Sequence, residues 1–142
     1  MRNALWCSVA AMVVFGAFWI GRLSAANEIE KNRLFELRTY TAVDGKLDAL
    51  QARFRDHTCK LFEKHGMTNI GYWVPADGEK SKNTLIYILA FPDKDARNKA
   101  FKEFGADPEW QKAQKESEAN GKLLVKPPDS MFLTPTDYSP IK

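Results

Sequence analysis

Cysteine and histidine are scarce in this chain, two of each among 142 residues, and that scarcity excludes several chemistries. Cys7 lies in a leading apolar segment, so Cys59 has no partner in the remainder and an intramolecular disulfide is ruled out. Cys59 is left as a free thiol or as half of an intermolecular bridge. His57 and His65 are eight residues apart; on one helix that is about 12 Å along the axis, too far for one metal centre. No recognisable spacing supplies a third ligand, and neither a metal nor a cofactor is expected. Phosphate-binding glycine loops, a nucleophile elbow, paired zinc motifs and a dinucleotide fingerprint are missing as well, which disfavours nucleotide and hydrolase chemistry.

An excess of charge of one sign is also lacking. Removing Arg2 and Arg22 from the 21 basic residues leaves 19 against 18 acids. The lysines are interspersed with acids rather than gathered into a stripe, so no nucleic-acid partner is expected.

The first 26 residues contain no acid at all. Arg2 precedes an apolar stretch from Ala4 to Gly21, and Ser24-Ala25-Ala26 offers the small residues of a cleavage site. The stretch lies where signal cores of roughly 7–15 residues give way to membrane spans of about 17–25. Residues 1–26 are therefore expected to be a cleaved signal peptide or an N-terminal anchor that tethers the chain through residues 4–21. Either would export the domain, to a periplasmic or extracellular location. Residues 27–33 read as a polar linker, and the folded domain is expected over 34–138.

Within that domain, LFELRTYT alternates as a strand, and Asp44-Gly45 ends it and is expected to cap a helix over Lys46 to His65. Leu47, Leu50, Phe54, Leu61 and Phe62 form the apolar stripe of that helix, with His57 and Thr58 beside it and Cys59 well away from it. A second strand, Asn69 to Val74, alternates Ile70, Tyr72 and Val74 against Gly71 and Trp73. The third, Thr84 to Phe91, is apolar on both faces and suits a central position. Two helices follow, after Pro92-Asp93 and after Asp107-Pro108, and a last extended segment falls within Lys122 to Thr134. The order predicts an α+β, ferredoxin-like β-α-β-β-α-β domain with both helical layers on one face of a four-stranded antiparallel sheet.

With Phe35, Leu37 and Thr39 read as the face under the helices, Glu36, Arg38 and Tyr40 fall on the other. That face would then be uncovered in a monomer. Pairing of two sheets into a dimeric α+β barrel would enclose it.

The segments FELRTYT, GKLDAL, HTCKLFEKHGM, IGYWVP and ADPEWQKA, in this order across residues 34–138, resemble the NIPSNAP family of the dimeric α+β barrel superfamily. Cys59 departs from the aliphatic residue expected in the HT-x-x-L/F-x-x-HG segment. The resemblance implies the ferredoxin-like fold and a homodimer. Related barrels include cofactor-independent monooxygenases and haem-degrading enzymes, but a shared fold does not carry shared chemistry.

Two accounts of the charged row stay open. Arg38, Tyr40 and Glu36, with Trp73, could bind a polar or anionic ligand inside a barrel, or Glu36 and Arg38 could form an internal network that satisfies buried charge. His57 is the candidate catalytic residue, since imidazole titrates near neutrality. The leading expectation is an exported homodimeric binding or interaction module, with a small organic ligand or a protein as its partner. The alternative is a cofactor-independent oxygenase-like or isomerase-like enzyme using His57 with Arg38 or Tyr40.

Overall fold

The computed structural model describes residues 33–142, so the expectations for residues 1–26 and for most of the linker lie outside the described residues. Strand β1 (Leu34–Thr41) leads into a helix over residues 47–64, α1. Strands β2 (Thr68–Trp73) and β3 (Thr84–Phe91) form the next pair, with a 3-10 turn at Glu79–Lys82 in the loop between them. Helices α2 (Lys94–Ala106) and α3 (Pro108–Ser117) precede β4 (Asp129–Leu133). The sheet order is β2-β3-β1-β4 and every neighbouring pair is antiparallel. This is the expected ferredoxin-like α+β fold, and apolar β3 holds an interior position in it.

Gly45, at φ +71°, allows the sharp exit from β1. Asp44 does not cap the helix that follows; the N-cap is Lys46, with no side-chain hydrogen bond. Caps of the expected kind begin α2 and α3, where Asp93 accepts from the Ala96 N–H at 2.7 Å and Asp107 from the Glu109 N–H at 2.8 Å. Pro127-Pro128 interrupts the last extended segment. Its first part, around Leu123 to Val125, still pairs with the end of β1, through Val43 N–H to Leu123 O at 2.9 Å and Val125 N–H to Thr41 O at 3.0 Å.

The middle of α1 is not α-helical. Phe54–Thr58 forms a π turn in which the Cys59 N–H reaches back to the Phe54 carbonyl. The wider turn rotates everything after it relative to a continuous α-helix. Thr58 is thereby buried, with its hydroxyl donating to the Arg53 carbonyl at 3.2 Å, while His57 is exposed. Cys59, expected to project away, is half-buried against the core.

The core lies between sheet and helices. Phe54, Phe62, Tyr87 and Phe104 form its centre, with Phe54–Tyr87 ring centroids 5.2 Å apart and Phe62–Phe104 4.9 Å apart. Trp110 fastens α3 by packing 4.5 Å from the Phe104 ring, and the Arg53 guanidinium lies 5.2 Å from the indole on another side.

Candidate functional site: two faces of one sheet

The register settles which way the charged row points. Glu36, Arg38 and Tyr40 stand opposite Leu89, Tyr87 and Leu85 on β3, and all three of these are buried in the helix-side core. The row therefore faces the helices, and the expectation that it faces away is reversed. Its partners come from α2. Glu36, 0% exposed, accepts two hydrogen bonds from Arg97, at 2.7 Å from Nε and 2.7 Å from Nη2, and a third from Arg38 at 2.9 Å. Phe101, one turn beyond Arg97, has the Arg97 and Arg38 guanidiniums 4.4 and 4.7 Å from its ring centroid.

A buried carboxylate held by two guanidiniums is stable because its charge is neutralised and its lone pairs are occupied. Burial works against the charge on Arg38, but Tyr87, Tyr40 and Glu36 outweigh it and the guanidinium is held more firmly charged than usual. Its Nε has no partner among the described residues. Tyr40 belongs to an aromatic cluster beneath α1, taking a hydrogen bond from the Tyr87 hydroxyl at 3.0 Å and packing edge-on to Phe54. Burial, then the Tyr40 neighbourhood, pushes the Tyr87 phenol well above its ordinary range.

Arg97 is the residue the sequence reading passed over. It was detectable, since Arg97, Ala100, Phe101 and Phe104 follow i, i+3, i+4, i+7 and a charge on an apolar stripe asks for a buried partner.

Trp73 does not join this group. It stands opposite Ile86 on the other face, half-exposed, with its ring folded over Gly71 so closely that a Cβ there would lie 2.6 Å from it. His57 is on the solvent side of α1 and has no hydrogen bond to Arg38 or Tyr40. Of the sequence-derived candidates, the structure unites Glu36, Arg38 and Tyr40 under the helices and leaves Trp73 and His57 apart from them.

The other face of the sheet carries Leu37, Ile86, Ile88, Trp73 and Met131, the register partners of one another across the four strands. None of the described helices covers it. Ile70 joins this face instead of pointing with Tyr72 and Val74, because a bulge between Asn69 and Gly71 inserts one residue and breaks the alternation. At one end the C-terminal segment turns back along the sheet and flanks an open cleft of about 370 Å³ against Phe35, Ile70, Ile88 and Leu133.

The sequence profile of the NIPSNAP family matches residues 35–140. The chain belongs to the NIPSNAP family. No curated protein sequence matches it. Among solved structures, a NIPSNAP family protein of unknown function from Agrobacterium tumefaciens is similar at 22% identity, covering 79% of this chain and 96% of that one, with a TM-score of 0.67. An uncharacterised NIPSNAP-like domain protein from Burkholderia xenovorans is 21% identical over 78% of this chain and 90% of its own, with a TM-score of 0.66. A more distant likeness, 16% identical with a TM-score of 0.54, covers 77% of this chain and 92% of a monooxygenase from the ActVA-Orf6 gene of Streptomyces coelicolor, solved with Nanaomycin D. At these identities the likenesses establish the fold of this NIPSNAP domain and leave its chemistry open.

One further charged cluster supports the NIPSNAP core away from the sheet, where α1 meets the start of α3. Asp107, the α3 cap, is bound by Lys64 at 2.8 Å and by the His65 ring at 2.7 Å. Lys64 first, then His65 and the Glu109 N–H, hold its carboxyl well below the usual carboxylate range. Among the described residues no cluster of three or more His, Cys, Asp or Glu could hold a metal, and no helix is long and apolar enough to cross a membrane.

Proposed function

We propose that this NIPSNAP domain is a homodimeric binding and interaction module, exported by residues 1–26 as a cleaved signal or a single-span anchor, that pairs through its open sheet face. The observation that carries the reading is the contrast in cover. The charged row is sealed beneath the helices by Arg97 and Phe101, whereas apolar Leu37, Ile86 and Ile88, half-exposed Trp73 and Met131 at 60% exposure form a continuous apolar face. Such a face is unfavourable in water and is satisfied by a second copy laid sheet to sheet. Four strands about 4.8 Å apart and five to eight residues long give a patch of at most roughly 430 Å² in projection, about half of the ~800 Å² per partner of a stable interface before side-chain relief is added.

The oxygenase-like or isomerase-like reading draws no support from this arrangement. It needs His57 to meet Arg38 or Tyr40, and an exposed helix residue and a row beneath the helices do not converge.

Sedimentation of the full chain at micromolar concentration tests the pairing: a dimer that Trp73→Glu converts to a folded monomer is the expected result, and a parent that stays monomeric removes it. The mass of the N-terminus recovered from cells tests the export step, with cleavage after Ala26 and an intact membrane-held chain as its two forms. A soluble, uncleaved cytoplasmic protein would refute it.

A further inference from the structure

The cleft at the end of the open face is flanked by a segment poorly suited to fill it. Residues 134–142 contain two large apolar side chains, Tyr138 at 84% exposure and half-exposed Ile141, so the segment leaves the cleft beside buried Phe35 unfilled. It is nonetheless held in shape. Ser139 N–H donates to the Thr136 carbonyl, the Ser139 hydroxyl donates to Ile141 O at 2.6 Å, and Lys142 Nζ donates to Asp137 O at 2.6 Å. Arg33 fixes the far end by donating to the Lys142 carbonyl, and its guanidinium lies 5.6 Å from the Phe35 ring centroid. A wall held in shape by its own hydrogen bonds leaves the open cleft beside it preformed.

The walls name the occupant. The floor is Phe35, Ile70, Ile88 and Leu133, the C-terminal wall adds Pro135 and Ile141, and the polar side chains on the lining are hydroxyls of Thr134, Thr136 and Ser139. Among the described residues no charged side chain lines it. Arg33, at its margin, is already engaged by the Lys142 carbonyl, so an anion would have to displace that bond and lose its hydration beside four apolar side chains. A cavity of about 370 Å³ is at the small-molecule end of the ligand range and has no room for a peptide helix.

We infer that this cavity binds a small uncharged apolar molecule, of the size of a two-ring aromatic bearing at most a hydroxyl. The inference names a ligand class for the binding module proposed above, and all lining residues named come from one chain.

The test is a titration of the full chain, labelled at isoleucine δ1 methyls, with 1-naphthol. Saturable shifts at Ile70, Ile88 and Ile141, with Ile86 unmoved, are expected at one molecule per chain. Ile141→Asp, a change at an exposed wall position that leaves the core intact, should weaken binding at least tenfold, as should replacing 1-naphthol by 1-naphthoate. Ile88→Trp should abolish the shifts by filling the space. Shifts centred on Ile86, affinity unchanged in Ile141→Asp, or naphthoate binding as tightly as naphthol would overturn the site. Sedimentation of the same samples separates the two readings: a dimer without the shifts ends the cavity proposal, and a monomer that shows them ends the pairing alone.

Discussion

The two faces of the sheet come from the same four strands and differ in a way that polarity does not predict. The face bearing Glu36 and Arg38 is buried, and the face bearing Leu37, Ile86 and Ile88 is the one left open. Burial follows the partners available rather than the hydropathy of the strand. On the covered face, α2 brings a second guanidinium to the carboxylate and a ring to both guanidiniums, so the buried acid is fully paired and the extra cation rests on an aromatic face. On the open face nothing among the described residues except the C-terminal segment approaches, and the apolar surface that remains is what a second molecule would use.

The sharpest way to break this contrast is to remove the acid from the covered face. Glu36→Ala leaves Arg38 and Arg97 facing each other across Phe101, and a loss of about 3–5 kcal/mol is expected from chemical denaturation. The triple variant Glu36→Leu, Arg38→Met, Arg97→Met should recover most of it, because an apolar set of similar volume needs no matched charge. If Glu36→Ala is as stable as the parent, the triad is not what holds α2 to the sheet.

The open face should respond in the opposite manner. Leu37→Asp is expected to leave the folding of a single chain within about 1 kcal/mol while raising the dimer dissociation constant at least a hundredfold, since the new carboxylate is solvated in the monomer and buried in the pair. Denaturation and sedimentation on one sample distinguish the two effects. A large loss of single-chain stability would mean that this face is already covered.

Acid unfolding adds a smaller distinction within the helical layer. The folded Asp107 carboxyl titrates below its unfolded value of about 3.9, so its stabilising effect is complete above about pH 4 and is lost as the pH falls through the folded value. Asp107→Asn should therefore lower stability near neutrality and flatten its decline below about pH 4. An unchanged acid limb would place the acid sensitivity elsewhere. The smallest effect belongs to His57→Ala, expected within about 0.5 kcal/mol of the parent and neutral for dimerisation, as befits an exposed side chain with no hydrogen-bond partner among the described residues.

Much of this architecture was legible in the residues. Period-two segments separated by period-3.6 segments gave the strand and helix order, β-branched and aromatic density placed Thr84–Phe91 inside the sheet, and Asp93 and Asp107-Pro108 announced two helix starts. The orientation of the charged row was not legible, and the two local irregularities explain other misreadings. The bulge at Ile70 and the π turn at Phe54–Thr58 each insert one residue into a regular repeat, which moves Ile70 onto the open face and sends His57 to solvent and Cys59 against the core.

The sequence by itself determined the family, the element order and the fact that Glu36, Arg38 and Tyr40 share one face, because these depend on local spacing and on ordered motifs. Only the tertiary structure decided which face that is. Alternation fixes two sides but carries no sign; the sign is set when Arg97 and Phe101, some sixty residues further along the chain, arrive over Glu36 and make its burial more favourable than exposure of the aromatic cluster beside it.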